Sequence, residues 1–351
     1  MEKRKNKTVI SVIAVFLVIT VLGLVSGLFS QGAGGSVGGG VVDKTISTTA
    51  PVVTEKPKEW SEFSLPSQYS DFKPYATLVD GDRLIVTGNR DFIFYSDDGK
   101  NFKIVNISLE SGDRIQDIVI YQDMYYFISF KEGLYVFDRE FKSCKIVLDE
   151  PKLKDIAVNG NKMVVCGANV LHYTEDGENW KDITVSASYP VAFSVGDKFL
   201  VCSGSAELLS VGNSGLTSYL SKPTDYGNTS TKIFSNPNQL YNACVADGKI
   251  AIVGVNGAAY FAKADEPQYF YATGNDTDNL FNFEDVCFYD GHFYAVGSPS
   301  NGSFGSLFRL DESTYTWKAV EGIAFPNSYD LEVYNGAMYV FSEGGLVYVY
   351  Q

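Results

Sequence analysis

A chain of 351 residues with 45% hydrophobic and 14% aromatic residues can bury a sizeable core, and its 23 Tyr and 24 Phe lean that core toward β structure. The formal charge of −14 excludes the basic stripe a nucleic-acid partner requires and disfavours docking on an anionic lipid surface. None of the five cysteines forms a CxxC pair, so no zinc framework is expected.

The chain opens with Lys3, Arg4, Lys5 and Lys7, and residues 9–29 follow without a charge. At 1.5 Å rise per residue a helix of that length spans about 30 Å of hydrocarbon. Its basic end stays in the cytoplasm, which puts the rest of the chain outside. The expected division is a cytoplasmic tail over 1–7, a transmembrane signal-anchor over 8–29, a linker over 30–58 and a folded domain over 59–351. A cleaved signal peptide, which would release a secreted protein, is the competing reading. Val25-Ser26-Gly27 offers it a weak cleavage site, although the apolar region of such a peptide usually runs only ~7–15 residues. No Cys follows the apolar run, which excludes a lipoprotein. Residues 31–40 are mostly Gly and 45–58 are rich in Thr, Pro and charge, the composition of a flexible tether.

From Trp60 onward one pattern recurs: an apolar run, a tight polar turn, a second apolar run, a third, another turn, and a fourth opened by an aromatic. The first turn reads Asp80-Gly81, Tyr121-Gln122, Asn159-Gly160, Gly196-Asp197, Asp247-Gly248, Asp290-Gly291 and Asn335-Gly336, at steps of 37 to 51 residues. Asp-Gly and Asn-Gly between apolar runs are strong hairpin signals, and a four-stranded propeller blade takes ~40–45 residues. The last unit has three strands only. Segment 60–65, opened by Trp60, fits its missing fourth, in the slot that Phe102-Lys103, Trp180-Lys181 and Trp317-Lys318 occupy in other units. The expected fold is all-β: a seven-bladed β-propeller of four-stranded antiparallel blades, closed by its own N-terminal strand so that no edge is left open. The cysteines sit in apolar runs and are expected to be buried, inert thiols; the exception to consider is Cys166 and Cys202, which fall at matching positions of neighbouring repeats.

Two turns share a more specific spacing. Ser96, Asp98, Gly99 and Phe102 repeat as Thr174, Asp176, Gly177 and Trp180, a Ser/Thr-x-Asp-x-Gly-x-x-aromatic motif with looser copies at Asp138–Phe141 and Asp311–Trp317. This resembles the Asp-box, or BNR repeat, of sialidase-like and photosystem II assembly factor-like seven-bladed propellers. The resemblance implies a structural turn between third and fourth strands, with the Asp and hydroxyl bonding local backbone and Gly at positive φ. Sialidase chemistry does not transfer residue by residue. The propeller holds only Arg83, Arg90, Arg114, Arg139 and Arg309, and Arg114-Ile115 is followed by Gln116 where the family's early motif has Pro.

First strands line the channel of a propeller. Aligned, they place Asp117, Asp155, Asn242, Asp285 and Asp330 at one position, with Ala76 and Ala192 in the remaining units. Two readings stand: the ring accepts backbone N–H bonds within the channel wall, or it holds Ca²⁺ or a cationic group. The longest loops, 222–239 and 298–305, fall on the same face and bring Tyr226, Phe234 and Phe304. Tyr189, Tyr241, Phe281, Phe283, Phe325 and Tyr329 lie near them in sequence. Aromatics among polar residues on long loops suit a protein or glycan partner. The only histidines, His172 and His292, fall far from the expected mouth, which speaks against histidine-dependent triads and multi-histidine metal centres. No residue set demands catalysis. The sequence therefore reads as a membrane-tethered extracytoplasmic binding module for an envelope or extracellular protein, or a glycan. The alternative is a glycoside hydrolase or lyase using carboxylates at the channel mouth.

Overall fold

The computed structural model describes residues 58–184, 190–196, 198–202, 208–212, 215–218, 239–266, 271–276, 281–299 and 304–351. The expected tail, transmembrane helix and most of the tether lie outside these residues. Among the described residues no helix is long and apolar enough to cross a membrane.

Nearly all the regular structure is β-strand, and the strands pair into seven sheets. The first holds Pro74–Asp80, Arg83–Gly88, Phe92–Ser96 and Lys103–Asn106; the second Ile115–Tyr121, Met124–Ser129, Gly133–Phe137 and Cys144–Leu148. The third holds Asp155–Asn159, Lys162–Cys166, Val170–Thr174 and Lys181–Thr184; the fourth Val191–Val195, Lys198–Cys202, Leu208–Gly212 and Gly215–Ser218. The fifth holds Leu240–Ala246, Lys249–Gly254, Ala259–Lys263 and Tyr271–Ala272; the sixth is built on Phe281–Tyr289, His292–Pro299, Phe304–Asp311 and Thr316–Ala319. The seventh takes Ser328–Tyr334, Ala337–Ser342 and Leu346–Tyr350 and, as its outermost strand, Trp60–Ser64, whose Trp60 lies opposite Tyr350.

Six of these sheets are four-stranded, and the sixth sheet corrects the uniform expectation. Gly274–Asn275 runs parallel along Thr316–Ala319, and Phe325–Pro326 pairs with the start of Phe304–Asp311. The chain leaving the short fourth strand of the fifth sheet supplies the extra edge. Gly274 N–H donates to Tyr315 O and Asp276 N–H to Trp317 O, both at 3.0 Å, and the Trp317 indole donates to the Thr273 hydroxyl at 2.9 Å.

Inner strands are buried on both faces, as in Arg83–Gly88 and Met124–Ser129. Outer strands such as Cys144–Leu148 and Lys181–Thr184 are mostly exposed. This gradient follows from stacking sheets face to face, and every hydrophobic cluster is shared between two neighbours. Leu84, Val86 and Phe94 pack on Tyr334, Tyr339 and Phe341 across the seam between first and seventh sheets. Ile85 and Ile93 pack on Ile118 and Phe127 across the next seam. First strands touch in cyclic order, and that of the seventh sheet touches that of the first. Three hairpins behave as Asp-Gly and Asn-Gly turns require, with Asp247, Gly248, Asp290, Gly291, Asn335 and Gly336 all at positive φ; at Asp80-Gly81 and Asn159-Gly160 only the glycine takes it, because Asp80 and Asn159 still belong to the strand. In the second sheet Gln122 and Asp123 take that conformation instead.

The cysteine expectation needs one correction. Cys166, Cys244 and Cys287 are buried free thiols, whereas Cys144 is free and exposed, because it starts an outermost strand that nothing covers. The Cys202 side chain lies outside the described residues.

Candidate functional site

The aligned polar residues of the first strands meet in the channel wall, where each is at most 1% exposed. Asp117 accepts the amide of its own neighbour Ile118 at 2.8 Å and that of Ile156 in the next sheet at 3.0 Å. Asp155 accepts the Ala192 amide at 2.7 Å. The Asn242 oxygen accepts from Ala243 at 2.7 Å while its amide nitrogen donates to Asp285. Asp285 accepts from Val286 at 2.7 Å and from Leu331, one sheet on, at 2.6 Å. Asp330 accepts from the Thr77 hydroxyl at 2.6 Å, which links the last sheet to the first. Each side chain therefore bridges to the following sheet, and the two seams without such a bridge begin at Ala76 and Ala192. Asp117 and Asp285, each turned onto two amides, have few lone pairs left for a ligand. Among the described residues no three His, Cys, Asp or Glu side chains group as a metal site would require.

Burial has an electrostatic consequence here. It pushes the Asp285 carboxyl well above the usual carboxylate range, and the neighbouring Asp330 adds to the shift. Glu332, 3% exposed beside them, is pushed up to about 8 by the same loss of water, although it accepts from Val333 N–H at 2.8 Å.

The opposite face carries the two motif turns. Asp98 accepts from the Lys100 and Asn101 amides at 2.9 and 2.7 Å and from Ser96 Oγ at 2.8 Å. Asp176 repeats this with Glu178, Asn179 and Thr174. Bonds from Asn101 hold Asp98 below the usual carboxylate range, and bonds from Asn179 do the same for Asp176. Phe102 and Trp180 lie half-buried against the neighbouring clusters. Gly99 at φ +72° sits on Tyr334 and Tyr339 of the preceding sheet, and Gly177 at φ +74° sits on Tyr121 and Tyr126. Arg83 and Arg139 lie on this face, held by Asp97 at 3.1 Å and by Asp80. His172, 2% exposed, is held between Asp182 at 2.8 Å and Glu150 at 3.1 Å.

The expected aromatic binding face is described only in part. Tyr226, Phe234 and Tyr189 lie outside the described residues. Phe304 is 70% exposed. Tyr241, Phe281, Phe283 and Phe325 are at most 5% exposed and pack within and between sheets, so they are core.

What the structure does assemble at the mouth is a row of cations and rings across the first three sheets. Phe130 has the Arg114 guanidinium 4.0 Å from its ring centroid and Lys154 Nζ at 4.7 Å; Arg114 also lies 6.0 Å from the Tyr75 ring. Asp113 organises the row. It accepts the amides of Arg114 at 2.7 Å and Lys131 at 3.1 Å, and the Ser129 hydroxyl donates to its other oxygen. That fastens the entry of one strand to the exit of the next, while Phe130 N–H donates to Arg114 O at 3.1 Å. With its amide oxygen facing Arg114, Gln116 accepts from Nε at 2.6 Å. At the seam of seventh and first sheets, Lys73 pairs with Glu343 at 2.7 Å and lies over Tyr329, whose phenol burial pushes up to about 12. In the sequence Arg114 stands out only through the broken Arg-Ile-Pro motif, and Phe130 belongs to no motif. The available signal was a basic residue directly ahead of the first strand in three consecutive units: Lys73, Arg114 and Lys154.

No protein-family model and no curated protein matches this chain. Solved structures do match. YCF48 bound to D1 peptide is 14% identical with a TM-score of 0.60, covering 83% of this chain and 96% of its own. Virginiamycin B lyase from Staphylococcus aureus is 10% identical with a TM-score of 0.64, covering 84% and 99%. The extracellular domain of a putative one component system from B. thetaiotaomicron is 11% identical with a TM-score of 0.61, covering 82% of this chain and 39% of that one. At such identities the likeness is one of fold, and it agrees with the cyclic sheets: the chain folds as an all-β propeller.

Proposed function

We propose that this chain is a membrane-tethered interaction module, held outside the cytoplasm, that recognises a protein partner at the mouth of a seven-bladed ring. The observation that carries the reading is the row Tyr75, Arg114, Phe130 and Lys154. Cations held against flat rings on a rigid scaffold offer carboxylates and carbonyls a charged donor and offer apolar side chains a surface. The bound peptide of YCF48 supports a protein partner. The basic segment at 3–7 and the uncharged stretch 9–29 support the tether, and the Ser96 and Thr174 turns support kinship with Asp-box propellers.

The test is a peptide array and a glycan array probed with the purified full-length chain. Selective binding to peptides, weakened at least 10-fold by Arg114→Gln or Phe130→Ala and falling with added salt, is the expected result. A blank peptide array with positive glycans would transfer the site to a carbohydrate ligand. Peptide binding indifferent to both substitutions would remove the mouth row as the site.

A further inference from the structure

Between the sixth and seventh sheets lies a cleft of about 280 Å³. One wall is the sixth sheet, with Tyr294, Arg309 and Lys318 side by side on adjacent strands. The other wall is the outer edge of the seventh, where Trp60 stacks on Tyr350 at 4.8 Å between ring centroids. The floor is apolar, formed by the buried side chains of Leu307 and Met338.

The charges in the cleft are unequal in availability. Lys318 is committed to Asp311 at 2.6 Å. Arg309 is exposed, lies opposite Tyr294 across the strand pair, and among the described residues no carboxylate pairs with it. Glu321 also lines the cleft, and it is the one acid among the lining residues. We propose that this cleft binds a carboxylate carried on an apolar group. The planar fork of Arg309 takes the carboxylate in two parallel bonds, and the apolar group lies against Trp60 and Tyr350 over the floor. The volume suits a group the size of one side chain. Such a ligand arrives either as a small free acid or as the last residue of a peptide.

Calorimetry on the purified full-length chain distinguishes these cases. The probes are 3-phenylpropionate, N-acetyl-phenylalanine, an acetylated tripeptide ending in Phe, and the carboxamide of each. Each acid is expected to bind at least 10-fold more tightly than its amide. Arg309→Gln should erase that preference without lowering the melting temperature, since the side chain is exposed, and Glu321→Gln should strengthen acid binding severalfold. Tripeptide affinity above that of phenylpropionate assigns a peptide terminus; equal affinity assigns a small acid. Equal binding of acids and amides, or no binding of any acid to protein that melts normally, overturns the proposal. The acid–amide comparison needs no variant, so it stands even if a substitution fails to fold.

Discussion

At the scale of single residues, the channel wall shows how a carboxylate can serve as a joint. Asp117, Asp155 and Asp285 each satisfy a buried amide of the following sheet that would otherwise cost about 1–3 kcal/mol as an unpaired donor. The arrangement has a pH signature through Glu332. Its ordinary pKa in an unfolded chain is about 4.3, and burial raises the folded value to about 8. Between these values the folded state holds a proton the unfolded state has released. Stability from this group is therefore full below the unfolded pKa and falls as pH rises toward 8, with a slope of at most about 1.4 kcal/mol per pH unit. Glu332→Gln should flatten urea-unfolding stability between pH 5 and 8 and make the variant more stable than the parent at pH 8. A parallel pair of pH profiles would refute this assignment. Asp117 and Asp155 were legible in the sequence as one aligned position. The sequence offered both an amide and a ligand as partners for their oxygens and could not choose, because the donor amides lie 39 and 37 residues away in the next sheet.

At the scale of elements, the two motif turns do more than reverse the chain. Gly99 is required twice: its φ of +72° strains any L side chain, and an added Cβ would come within 2.8 Å of Tyr334 Cε1 in the neighbouring sheet. Gly81, in the first hairpin of the same sheet, has φ +59° but nothing within 4 Å. Alanine at Gly81 is expected to cost about 1–2 kcal/mol of unfolding free energy. Alanine at Gly99 should cost at least about 1 kcal/mol more, because it also displaces a packed ring. Chemical denaturation of the two variants compares them directly, and equal losses would mean that the turn does not support the seam. The turn residues themselves, Ser96 to Phe102 and Thr174 to Trp180, were readable from spacing, since the bonds that define them span two or three residues. The tyrosines beneath them were not, since Tyr334 and Gly99 come from opposite ends of the chain. The sixth sheet shows the reverse case. Gly274–Asn275 carries no strand pattern and joins the sheet only because the outer edge of Thr316–Ala319 lies open to it.

At the scale of the molecule, closure depends on five residues. Trp60–Ser64 hydrogen-bonds along Leu346–Tyr350, and Tyr334 of the same sheet donates to Asp82 O at 2.5 Å in the first, so both ends of the domain are tied into one seam. Deleting 60–64 should lower the melting temperature by more than 5 °C in a fold of this size and promote concentration-dependent association, because the bare edge of Leu346–Tyr350 becomes a template for another chain. An unchanged melting temperature and a monomeric sedimentation profile would show that the ring closes without it.

By itself the sequence determined the β character, the repeat and the tight turns, because each rests on interactions within a few residues: alternating burial, positive φ at Asp-Gly, a side chain bonding the next two amides. Tertiary structure decided what the polar and aromatic residues do. It consumed the aligned aspartates in the channel wall, packed Phe281, Phe283 and Phe325 into the core, and drew Tyr75, Arg114, Phe130 and Lys154 from three sheets into one row. The physical reason is that a side chain's role depends on what desolvates it and what charge faces it, and in a ring of stacked sheets both come from the neighbouring sheet.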